Sequence, residues 1–205
     1  MSYQHQFIQK LSQERSRDIY DVLNQVLRVS FPANSLKQVW LEKREGWVAV
    51  PTTSADTFRS AVLRIAEYSG DQELLGVFLD TYPDELLVFS VPANLDSLSE
   101  FDVEPPPGLK VLFAGAPDWI VLDVESDFYV VAGVVPAVEQ SLNLSVDQAF
   151  VEFDHYIESW EFPAEFADRL QPLKDFPRMV YSNLRQYKNA SLSSRVNLFE
   201  RGDAM

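Results

Sequence analysis

The chain has 205 residues, 46% of them hydrophobic and 13% aromatic, a composition that builds a core and that disordered chains lack. It has no cysteine, which excludes disulfide frameworks, thiolate zinc sites, iron–sulfur clusters and thiol catalysis, and fits a reducing, cytoplasmic setting. The net charge is −14, no window approaches the ~18 uncharged apolar residues of a membrane span, and Met1–Lys10 lacks the apolar run of a secretory signal.

Residues 3–30 read as a helix, because Ile8, Leu11, Ile19, Val22, Leu23, Val26 and Leu27 recur at helical spacing on either side of the polar stretch Ser12–Asp18. Pro32 ends it. A hairpin is expected next: Val39, Trp40 and Leu41 lead into Lys43-Arg44-Glu45-Gly46, and Trp47–Val50 returns, with Gly46 supplying a positive φ. Thr53 or Ser54 is placed to cap a helix that carries Phe58, Val62 and Ile65 and stops at Gly70. Leu74–Leu79 and Leu86–Val91 do not alternate, so both read as strands covered on two faces. A short helix over Asn94–Phe101 precedes the proline run Glu104–Gly108, a stiff surface connection.

Three strands follow, Leu109–Phe113, Trp119–Val124 and Phe128–Ala132, the last two joined around Glu125-Ser126-Asp127. Pro136–Leu142 reads as a helical turn. Ser145 and Gln148 have the spacing of a capping box, opening a helix with Ala149, Phe150, Phe153, Ile157 and Trp160 on its apolar face. Prolines at 163, 172 and 177 then divide the chain into short helical pieces, the longest over Arg178–Lys188, before a polar, loose tail. The stretch Trp40–Val50 echoes Val121–Val131 in form, yet two hairpins with charged turns look alike without duplication, and no fixed period supports a repeat.

The fold expected is therefore α+β or α/β: one domain over 1–205, with a mixed sheet of about six or seven strands and covering helices. Within it, 1–35 is the N-terminal helix, 36–160 the α/β core, 161–189 a helical C-terminal subregion and 190–205 the tail.

Motifs of chemistry are few. Neither Gly-x-Gly-x-x-Gly, a phosphate loop nor a Gly-x-Ser-x-Gly elbow occurs, so no nucleotide cofactor is expected. Of the two histidines, His5 lies in a terminal segment. His155 makes a Glu-x-x-His pair with Glu152, but a di-iron site needs a second such pair and the chain has none, so no metal is expected. Asp123, Glu125 and Asp127 alternate along a turn but lack the glycine and distal Glu of an EF-hand. Paired acids at strand ends, such as Asp84-Glu85, keep a carboxylate-based hydrolase open as an alternative. The four tryptophans read as core. Tyr181 and Tyr187 stand in a basic segment, where packing on the chain's own carboxylates explains them better than nucleic acid does.

The charge distribution is the most informative feature. Residues 1–50 carry seven basic and five acidic side chains, residues 161–205 seven and six, and residues 51–160 three and twenty, a net −17. Solubility alone explains many acidic proteins. Beyond it, such a field repels nucleic-acid phosphates and favours a basic partner. The function expected is a non-catalytic protein-binding module of immunity, inhibitor or adaptor type, with Asp80, Asp84, Glu85, Asp123, Glu125 and Asp127 on its binding face. No direct nucleic-acid or membrane contact is expected. A structural subunit of a larger assembly is a further alternative, and would expose a large apolar patch.

Overall fold

The structure, a computed structural model, describes residues 6–28, 35–53, 55–79, 86–103, 110–124 and 128–159. Its elements in chain order are β1 (Gln9–Lys10), α1 (Gln13–Val26), β2 (Leu27–Arg28), β3 (Ser35–Leu36), α2 (Gln38–Glu42), β4 (Trp47–Thr52), α3 (Ala55–Ser69), β5 (Glu73–Phe78) and β6 (Leu87–Pro92). There follow α4 (Leu95–Val103), β7 (Lys110–Ala114), β8 (Trp119–Val124), β9 (Phe128–Val134), α5 (Val135–Leu142) and α6 (Val146–Ser159). Seven strands form one sheet in the order β1-β6-β5-β7-β8-β9-β4, and β2 pairs with β3 separately. The fold is α+β, and every described strand pairing is antiparallel.

Helices cover both faces of this sheet, which is why its strands read as continuous apolar runs. Val131, Val121, Leu112 and Gly76 share a register row across β9, β8, β7 and β5. On that face Gly133, two residues from Val131, meets Ile65 of α3 and Val138 of α5, while Gly76 lies under Phe101 of α4. Phe128 has the opposite parity and meets Phe153 of α6, ring centroids 5.3 Å apart, on the other face. The buried side chains form one continuous cluster from Ile8 to Ile157.

Local signals set several helix ends where the sequence places them. Ser145 and Gln148 bond reciprocally: Gln148 N–H donates to Ser145 Oγ, and Ser145 N–H to Gln148 Oε1. Gly70, at φ 77°, closes α3, with its own N–H on Glu67 O and Asp71 N–H on Ala66 O. This double bond is the Schellman pattern, and Asn143 at φ 55° repeats it at the end of α5.

Two expectations need correction. The N-terminal helix is shorter than 3–30, because Ser12 caps it: its side chain accepts from Arg15 N–H, Glu14 follows in the first turn, and Gln9–Lys10 pairs with β6. The polar stretch thus starts the helix instead of interrupting it. The hairpin over 39–50 is not formed. Val39–Leu41 lies in α2, and the partner of β4 is β9, which pairs Trp47 with Val134 and Thr52 with Tyr129. Of the two echoing stretches only Val121–Val131 is a strand pair, so the likeness carries no duplication. Gly46 does take a positive φ, 75°, in the turn from α2 to β4. The proline run, Ser54 as a cap, Trp160, the 161–189 subregion and the tail lie outside the described residues.

Candidate functional site

Asp123 is the one residue of the expected binding face that falls within the described structure. The parity of β8 turns it to the face covered by α3, α4 and α5, and it is only 7% exposed. Thr52, Tyr129, Asp123 and Lys110 stand side by side on β4, β9, β8 and β7, and Phe78 of β5 continues the row. All five are buried, so this is a polar seam through an otherwise apolar layer.

A buried ammonium needs partners, and Lys110 finds them at the end of α4. Its Nζ donates to the backbone oxygen of Asp102 and lies 3.3 Å from Asp102 Oδ1. The backbone bond satisfies a carbonyl of the last helical turn, and the ion pair balances the charge. Lys110 therefore ties α4 to the sheet.

Asp80, Asp84, Glu85, Glu125 and Asp127 lie outside the described residues. In sequence, the first three fall between Phe78 and Leu87, and the last two between Val124 and Phe128; each bounding pair is a pair of register partners. Both pairs lie at the end of the sheet that carries Asp123.

Other acids of the middle segment have structural work. Asp71 Oδ2 accepts from the indole N–H of Trp119 at 2.8 Å, and Trp119 is completely buried. The Glu100 carboxylate accepts three successive backbone N–H groups, from Gln6, Phe7 and Ile8, at 2.8, 2.6 and 3.0 Å. Glu139 accepts from Val146 N–H at the start of α6 at 3.0 Å, where a negative charge also suits the helix dipole. Glu73 accepts from the Ser90 hydroxyl. Sequence reasoning assigned none of these roles: those of Asp71, Glu100 and Glu73 join residues distant along the chain or depend on a strand register, and that of Glu139 depends on the angle between α5 and α6.

The three cations of residues 51–160 are likewise engaged inside the fold. Arg59 donates to Ser99 Oγ at 3.1 Å, Arg64 to Ser141 O at 2.6 Å, and Lys110 to Asp102. On α6, Asp147, Glu152 and Glu158 are exposed and Asp154 is half-buried, and the helix has no Lys or Arg. His155 is exposed on the same helix.

Comparison with protein-family models, curated proteins and solved structures found no match to this chain.

Among the described residues no group of three or more His, Cys, Asp and Glu is placed to hold a metal ion. No helix among them is long and apolar enough to cross a membrane. The acids with described partners meet separate donors on separate elements, and convergence of two carboxylates on one reacting centre is not observed among them. Exposed large apolar side chains are spread over β9 and helices α1 to α4 and α6, and include Val39, Leu95 and Val103. Trp119 is core as expected, whereas Trp40 and Trp47 are half-buried.

Proposed function

We propose that the chain is a non-catalytic protein-binding module, of immunity, inhibitor or adaptor type, acting in the cytoplasm on a partner with a basic surface. The observation that supports this reading is the disposition of charge. Residues 51–160 carry a net −17, with three cations against twenty acids. Exposed acids of this segment stand on α6 (Asp147, Glu152 and Glu158, with no Lys or Arg on that helix), on α3 (Glu67), β5 (Glu73) and α4 (Asp96), and in the β7–β8 turn (Asp118).

Such a field steers a basic partner into encounter and suppresses approach of nucleic acid. The attraction acts over a Debye length of about 10 Å at 0.1 M salt and about 3 Å at 1 M, so binding weakens as salt rises. The test is affinity capture from native lysate on the immobilised full chain at low and high salt. A basic protein retained at low salt and released at high salt supports the reading; binding that strengthens with salt overturns it. Displacement of that partner by DNA or RNA would narrow the module to a nucleic-acid mimic.

A further inference from the structure

At the end of the sheet opposite the seam, Trp40, which the hairpin reading placed in a strand, comes together with Arg44 and Trp47. Trp40 lies in α2, Arg44 four residues on in the turn, and Trp47 begins β4. The two indole rings meet edge to face, centroids 5.2 Å apart and planes at 89°. The guanidinium carbon of Arg44 sits in the angle between them, 4.4 Å from the Trp40 centroid and 4.6 Å from that of Trp47. One donor, Nη2, bonds Ala116 O at 3.1 Å in the turn between β7 and β8.

We propose that Arg44 is a recognition site for a peptide carboxylate. A guanidinium offers five N–H donors in a rigid plane, and a ring stacked on its face leaves the donors at its edge open. One of the five bonds Ala116 O, and among the described residues no carboxylate forms an ion pair with Arg44. Its position is fixed from three sides before any ligand arrives, so little side-chain entropy remains to be lost on binding. Arg59 and Arg64 each donate to one oxygen as Arg44 does, but Arg44 is in addition held against two tryptophan rings.

The surroundings select the ligand. A carboxylate matches the fork bidentately and brings one negative charge into the field of an acidic protein; a phosphate dianion brings about two. The half-buried Trp40 and Trp47 rings offer apolar contact to the chain that carries the carboxylate. Trp and Arg together at a partly desolvated spot are the usual anchors of protein recognition. This site is independent of the acidic surface and takes a group of the opposite charge.

The experiment is a titration of the full chain, read by tryptophan fluorescence and by the side-chain Nε resonance of Arg44. The probes are a short acetylated alanine peptide with a free C-terminus, its C-terminal amide, the amide carrying one central Glu, and inorganic phosphate. A saturable response to the free C-terminus, to the Glu peptide or to both is expected, with none to the neutral amide, and the two arms tell a terminal from a side-chain carboxylate. Arg44→Gln is expected to weaken binding at least about tenfold, the equivalent of about 1.4 kcal/mol, and Arg44→Lys to weaken it less. The Nε resonance in the unaltered protein reports on the site even where a variant unfolds. An unmoved resonance, equal response to the neutral amide, binding unchanged in a folded Arg44→Gln chain, or binding of phosphate alone overturns the proposal.

Discussion

Gly76 has no room for a side chain, and the consequence can be worked out from its neighbours. It lies in β5, with a strand on either side, and a Cβ built on it would stand 2.4 Å from Phe101 Cε2, 2.8 Å from Cζ and 2.9 Å from Cδ2. The Phe101 ring cannot retreat easily: it is completely buried, its centroid is 4.8 Å from that of Phe78 and 6.2 Å from that of Phe89. In an open strand Gly→Ala is favourable by roughly 0.5–1 kcal/mol, because the unfolded chain loses freedom. Here overpacking opposes it, at about 1–3 kcal/mol in well-packed cores. Gly76→Ala is therefore expected to destabilise the chain by about 1–2 kcal/mol net, since the ring must shift by more than an ångström or α4 must lift. Urea unfolding followed by tryptophan fluorescence measures this as a lower midpoint at unchanged slope. Phe101→Leu removes the obstructing ring atoms, so the two substitutions together should cost less than their sum, with a coupling of about 1 kcal/mol or more. A Gly76→Ala chain as stable as the original, or strictly additive costs, would refute the close approach of α4 to β5.

Three further outcomes test the roles assigned to individual residues. Asp71→Ala leaves the Trp119 indole N–H buried without its acceptor and should cost about 1–3 kcal/mol in the same urea assay; an unchanged midpoint would remove that role. Glu100→Ala frees three backbone N–H groups at once, so hydrogen exchange at Gln6, Phe7 and Ile8 should accelerate while amides of β7 and β8 keep their protection. Asn143→Ala places an ordinary side chain at φ 55° and should cost about 1 kcal/mol, whereas Asn143→Gly should stay within a few tenths of the original.

Where a signal is local, the sequence carries it. The Ser145–Gln148 box, the stop at Gly70, and Trp119–Val124 as a strand each depend on a few consecutive residues, and each is found as expected. The Trp40 run misleads because three apolar residues fit a strand and a helix equally, and only the pairing of β4 with β9 decides between them. Non-alternating runs in β5 and β6 reveal two covered faces, but the same runs suit parallel and antiparallel neighbours alike. The acids are hardest to assign. An Asp at a strand end looks exposed, yet Asp123 is buried because β7 places Lys110 across from it and α4 closes over that face. Likewise Asp71, Glu100 and Glu139 count as surface charge until the folded chain brings a donor to each.

If outward acids of the middle segment engage a basic partner as proposed, removing their charge without altering the core must weaken that contact. Asp147, Glu152 and Glu158 are exposed on α6, and their replacement by Asn, Gln and Gln leaves the buried Ala149, Phe150, Phe153 and Ile157 untouched. Far-UV circular dichroism and the urea midpoint establish that the variant is folded. Captured side by side with the original chain from the same lysate at low salt, the variant should retain markedly less of the basic partner, and the difference should vanish at high salt. Equal retention of that partner by a folded variant at low salt would contradict the account.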